Sequence, residues 1–386
     1  MRAESPRTII HVAQLAISRE SGMGRVAWHW QQELEARGYT FLHIGPREVG
    51  RSVHPALFPY AAWLRFRQLG LRPAAFLVHE PAGVPFIADG APVFTFSHGL
   101  ERRGWQVALA HAAASGSPVR ARSRLLFPLW RLRQADFSLR HSRAVLVLNR
   151  DDLAYVQTHY GRRPEDLFLF RNGIDPLSVC PRAIVDNQLT VLFLGSWLSR
   201  KGIAILVRAA ELLHQRGVLA RYLLAGTGME EAEVLASWPA ELRGSVRVFP
   251  SFPATDESTF YAAADLFVLP SFFEGQSLAL LQAMAAGCCC LVSDIAGNRD
   301  LIRHRHSGLL HAPGNSSELA SQMMECLADP ALRDQLGCAA RNSVAERVWK
   351  VVAGEVAGFI AKVLDSEHSG LQTRRTAGYA ARLPPR

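Results

Sequence analysis

No apolar run among the 386 residues reaches the roughly 20 residues needed to cross a bilayer. The nearest, 278–292, is interrupted by Gln282 and Gly287 and reads as a helix followed by a buried strand. The polar stretch Met1–Arg7 leads straight into an apolar strand without a signal-peptide pattern, so the expected location is cytoplasmic. Cysteine is scarce, and three of the six are consecutive: Cys288, Cys289 and Cys290. Neighbours on a strand point to opposite faces, which is poor geometry for a disulfide or a metal. That run reads as small buried hydrophobes in a reducing compartment. There is no repeat at solenoid period, no convincing metal-ligand cluster and no nucleic-acid reader motif.

What is present is globular composition, 49% hydrophobic and 20% charged, in a chain long enough for two domains of roughly 150–200 residues. Lys and Arg outnumber Asp and Glu, 43 to 34, and the pI is about 9.6. Such a surplus suits an anionic ligand, a phosphate-bearing acceptor or an acidic lipid surface. Much of it is arginine in 119–143 and in the basic tail 367–386. A solvated helix face and a disordered end are the plainer reading of both stretches.

Buried-strand patterns alternate with helical ones twice. The first series holds TIIHVAQLA from Thr8, YTFLHIG, AAFLVHE, PVFTFSHG and RAVLVLN. The second restarts at Thr190 with TVLFLGSW, then RYLLAGTG, SVRVFPS, DLFVLPS and CCCLVSD. Continuous apolar strands separated by helices predict parallel sheets covered on both faces. Residues 174–188, with two prolines and mixed polarity, read as the linker between an N-terminal domain (1–178) and a C-terminal one (188–343). Two doubly wound domains leave a cleft at the carboxyl ends of their strands, where ligands bind.

Several loops face that cleft. Gly275, Gln276 and Ser277 precede a helix, so their free N–H groups and the helix dipole form a place for an anion such as a diphosphate. Glu274, just before them, is suited to accept hydrogen bonds from sugar hydroxyls. GSWLSRKG brings Arg200 and Lys201 to a helix start, where a cation contacts phosphate, and Gly226 lets backbone approach a ligand. In the first half, Gly22 and Gly24 open a helix and could set backbone against a phosphate or an acceptor sugar. His98 ends a strand and could orient or exchange protons with a hydroxyl; a packed histidine is the plainer alternative.

The order of these motifs resembles the retaining GT-B glycosyltransferases of family four, over about 8–350. The resemblance rests on SGMG, HGLERRGW and FRNGIDP in the first domain. In the second it rests on FLGSWLSRKGI, LLAGTG and above all PSFFEGQSLALLQAMAAG. It implies two Rossmann-like domains and a C-terminal helix (344–366) crossing back to the first. It also implies a nucleotide-diphosphate sugar as donor substrate, held without a metal. Lys201 would hold the diphosphate, Glu274 the donor sugar, the amides of 275–277 both, and His98 would lie beside the reacting centre. Two positions depart from the pattern: Gln282 stands where a second Glu binds ribose, and Ser196 stands where an Arg faces the leaving diphosphate.

The expected activity is therefore retaining transfer of a sugar to a saccharide or lipid-linked acceptor in cell-envelope polysaccharide or lipopolysaccharide synthesis. Peripheral contact with anionic membrane through 119–143 is part of the expectation. A degenerate protein that binds a nucleotide sugar or a partner without turnover is the alternative that Gln282 and Ser196 favour. A nicotinamide oxidoreductase is disfavoured, because ISRES separates the GMGRVA glycines from their strand and the second strand, ending HIGPRE, has no acid at the expected ribose position.

Overall fold

The computed structural model describes residues 7–380 except 20–21, 51–52, 115, 117–118 and 176–188, and gives the backbone alone for 367–380. The expected domain boundary and most of the linker lie outside the described residues. The first sheet comprises β1 (Arg7–Val12), β2 (Tyr39–Ile44), β3 (Ala75–His79), β4 (Val93–Phe96), β5 (Ala144–Val147) and β6 (Leu167–Leu169). Its order is β2-β1-β3-β4-β5-β6, all parallel. The second comprises β7 (Leu189–Leu194), β8 (Ala220–Ala225), β9 (Val246–Phe249), β10 (Leu266–Leu269), β11 (Cys289–Ser293) and β12 (Leu309–His311). These run β12-β11-β10-β7-β8-β9, again parallel.

Central strands such as β10 (LFVL) and β11 (CCLVS) are buried throughout because helices cover both faces. Cys288, Cys289 and Cys290 are all buried in this core. Each sheet has one place where the chain reverses its direction of travel: β1/β3 in the first and β7/β10 in the second. The loops after those strands therefore splay apart and form the walls of the cleft.

The C-terminal helix runs Trp349–Ala380, starting later and extending further than the 344–366 expected from sequence. Val344 instead closes the preceding helix, Pro330–Val344, and Val348 pairs with Ile174 before the last helix begins. The final helix buries Trp349, Val352, Ala353, Val356, Ala357, Ile360 and Val363 against Ile9, Trp30 and Leu34 of the first domain. That is helical three-four spacing, and each buried aliphatic side chain contributes about 1.5–3 kcal/mol. Its anchoring explains how the end of the chain is fixed to the first domain.

Segment 119–143, read from sequence as a helix face, is a helix Ala121–Leu126, a π-helical turn Phe127–Leu132 and a second helix Arg133–His141. Pro128 lacks the N–H that an unbroken helix would use at this point.

Candidate active site

A cleft of about 1330 Å³ lies between the domains, walled by the loops after β7 and β10 on one side and after β4 on the other. Lys201 follows β7 and Glu274 follows β10, so the reversal of strand order at β7/β10 brings them together. Lys201 Nζ lies 2.6 Å from Glu274 Oε1, both side chains being about nine-tenths buried. Ser271 Oγ donates to the same carboxylate oxygen at 2.9 Å. Two opposite charges in a confined site each offset the cost of burying the other. Arg200 also lines the cleft, half-exposed, its guanidinium 3.9 Å from Glu274. Ser196 lines the same wall, and so does Gly226, whose φ of +68° is open to glycine.

Ser277 caps the helix Leu278–Ala286 by accepting from Leu280 N at 3.3 Å, so its hydroxyl is engaged and only its backbone serves the cleft. Gln276 is likewise present through backbone. Its side-chain oxygen accepts from Asn172 N at 2.8 Å and its amide donates to Leu148 O at 3.3 Å, tying the two domains. Gly275 sits where these domains touch: a Cβ there would overlap the carbonyl of His98. Asn149 Nδ2 donates to Gly275 O at 3.1 Å. The loop from 274 to 277 is thus held from both sides.

His98 lines the opposite wall. Its ring stacks with Trp30 at 6.4 Å and meets Phe96 and Phe170 edge-on. Burial, with His79 nearby, pushes its pKa down to about 3, so the imidazole is neutral. The loop that carries it rests on Glu80, a fully buried acid. Glu80 accepts from Ser97 Oγ at 2.7 Å and from Glu101 N at 3.2 Å. Burial, reinforced by the Glu101 charge, raises the Glu80 pKa to about 8. Glu101 in turn accepts from Arg131 Nε at 3.0 Å.

Two expected residues stand elsewhere. Gly22 lines the cleft, but Gly24 is buried inside the helix Gly22–Ala36. Gln282 is not on the cleft wall: it is fully buried, and its Nε2 donates to Asp175 Oδ2 at 3.2 Å. The acid that does face the cleft nearby is Glu257, which accepts from Arg25 NH2 at 2.8 Å. Arg25 reaches across from the first domain and also lies 3.4 Å from Asp175. Among the described residues, no three His, Cys, Asp or Glu side chains converge as metal ligands would.

Residues 188–329 match the model of the family glycosyl transferases group 1. Over that stretch the second domain is similar to the group 1 glycosyl transferases. An uncharacterised glycosyltransferase of Methanocaldococcus jannaschii is 30% identical over 175 residues, 45% of this chain and 44% of that one. The chain spans about half the length of the curated relatives it matches. In fold it is similar to WaaG, a glycosyltransferase involved in lipopolysaccharide biosynthesis (TM-score 0.71, 18% identity, 90% of this chain and 98% of that one). It is also similar to Anabaena HepE in complex with UDP-glucose (TM-score 0.67, 17% identity, 93% and 99%). The architecture is GT-B: two Rossmann-like domains facing a cleft.

The second domain brings Lys201, Glu274 and residues 275–277 to the cleft wall. Sequence reading missed Arg25, Glu257, Glu80 and the pair Asn149/Asn172, because their roles depend on contacts between chain segments far apart in sequence. Only Glu80 carries a signal of its own, an acid directly after the buried strand AFLVH.

Proposed function

We propose that the protein is a retaining glycosyltransferase that moves a sugar from a nucleotide-diphosphate sugar to a saccharide or lipid-linked acceptor in envelope polysaccharide or lipopolysaccharide synthesis. The observation that carries this reading is the Lys201–Glu274 pair at the β7/β10 reversal, facing His98 across the cleft. On donor binding, Lys201 and the amides of 275–277 take the diphosphate, and Glu274 accepts from hydroxyls of the sugar. The bond from the anomeric carbon to the diphosphate oxygen breaks as the acceptor oxygen bonds to the same face. The acceptor proton passes to the departing diphosphate. No strong base is needed, and a neutral His98 suits a role in positioning the hydroxyl.

Positive charge for the leaving group comes from Lys201, Arg200 and the helix N-terminus, so turnover is expected to be independent of added metal. HepE, of the same fold, is known with UDP-glucose, which supports a donor of this class. Incubation with UDP-glucose, GDP-mannose and ADP-glucose, with and without EDTA, tests the reading. One donor should release its nucleoside diphosphate at equal rates in both conditions, and the released or transferred sugar should keep its anomeric configuration. Inversion, or dependence on a metal, would refute the mechanism. Binding without turnover is the second reading, favoured by the burial of Gln282 away from the cleft, and absence of release from a donor that binds would establish it.

A further inference from the structure

The first domain holds a groove of about 920 Å³ that no part of the donor site occupies. Leu15, Phe58, Pro59, Leu126 and Trp130 make it mostly apolar, and the π-helical turn Phe127–Leu132 forms one side. Trp130 is fixed over it by donating from Nε1 to Ala56 O at 2.9 Å. At one end the groove opens into the cleft, sharing His79, Phe127, Glu101 and Arg131 with it. Arg131 stands at that junction and Arg122 on the groove wall. In the same segment Leu125 and Leu129 are exposed, as is part of Trp130, and so are Arg120 and Arg124. Large apolar side chains left in water within an arginine-rich segment mark a binding surface.

The sequence of chemistries along this path is apolar groove, guanidinium, then the His98 wall. We infer that the groove binds the chain of a single-chain lipid phosphate acceptor, such as an isoprenoid joined through phosphate to the sugar that is extended. The chain lies between Phe58, Leu126 and Trp130. The phosphate meets Arg122 on the groove wall and Arg131 at the junction, where it competes with Glu101 for that guanidinium, and the acceptor hydroxyl emerges beside His98. This rests on the functional reading above and names its acceptor. A free saccharide has nothing to bury in such a groove, and free phosphate has no use for its apolar length.

Farnesyl diphosphate is the probe, titrated by calorimetry and by quenching of tryptophan fluorescence, with inorganic pyrophosphate, UDP and anionic phospholipid vesicles as separate arms. Variants Arg122→Ala and Leu126→Asp alter exposed side chains, and UDP titration of the same samples reports whether the donor site is intact. The expected result is binding of farnesyl diphosphate, with or without saturating UDP. It should weaken about tenfold in either variant, the size of one charged hydrogen bond or one buried aliphatic contact. UDP affinity should not change, and pyrophosphate should not compete. If UDP binds and farnesyl diphosphate does not, the groove assignment is overturned while the functional reading stands. Displacement by UDP would place the probe in the donor site and overturn it too. Binding to vesicles alone would make the patch a membrane surface rather than an acceptor groove. If farnesyl diphosphate binds as expected but no nucleotide does, the groove stands and the functional reading falls.

Discussion

A carboxylate at position 282 would face Asp175, whose Oδ2 now accepts from the Gln282 amide at 3.2 Å. The amide is therefore a joint between the second domain and the end of the linker, not a weakened ribose contact. Gln282→Glu is expected to lower stability by about 1–3 kcal/mol in urea unfolding and to leave nucleotide affinity no tighter. Tighter UDP binding would show that the side chain turns to the cleft after all. At Gly275 the constraint is steric. Gly275→Ala sets a methyl against the His98 carbonyl, so the domains should separate, seen as a larger radius of gyration in X-ray scattering and a lower Tm. Lys201, Glu274 and Ser196 were legible from the sequence because each sits next to a strand end in a short motif. Arg25 and Glu257 were not, since 232 residues separate the partners of that 2.8 Å bond.

Among the elements, the β4 loop rests on groups whose charge state depends on pH. His79 and His98 are pushed down to about 4 and about 3, chiefly by burial, and His11 and His43 also lie below the ordinary range. A histidine that is harder to protonate when folded gives stability that is complete above pH 6.5 and is lost as pH falls toward its folded pKa. Each such group changes stability by roughly 1.4 kcal/mol per pH unit in that window. Glu80 acts in the opposite sense: raised from 4.5 to about 8, it stabilises below 4.5 and withdraws that contribution as pH climbs to 8. Thermal unfolding should therefore peak near neutral pH, with a steep acid side and a shallow alkaline side. Glu80→Gln should remove the alkaline slope and make the acid side steeper above pH 4.5. A flat profile between pH 4 and 7 would contradict the burial of these histidines as neutral groups. Periodicity revealed five strands of this sheet, whereas the short edge strand β6 and the break within 119–143 escaped it. Pro128 was visible, but a π-helical turn follows from how the flanking helices pack, which the local pattern does not encode.

For the molecule as a whole, two parallel sheets were legible from continuous apolar strands separated by helices, but the edge strands β6 and β12 and the strand order were not. The closure of the cleft was not. It depends on ties that only the assembled chain makes: Arg25 to Glu257, Asn172 to Gln276 and Asn149 to Gly275. The last helix fastens the first domain to the end of the second. Arg25→Ala is expected to loosen the cleft, leaving Glu257 without its cation. Amide exchange should then quicken in Glu257–Ala262 and at the start of Gly22–Ala36. Unchanged exchange in both would show that the pair does not couple the domains.

The proposed function requires Lys201 and Glu274 to form a live nucleotide-sugar site. Calorimetric titration of UDP, GDP and ADP into the protein and into Lys201→Ala tests it most directly. One nucleotide should bind the unaltered chain, and the variant should bind it at least about tenfold more weakly, as loss of a charged contact to phosphate requires. If no nucleotide binds, or if Lys201→Ala binds equally well, the account of the site is wrong.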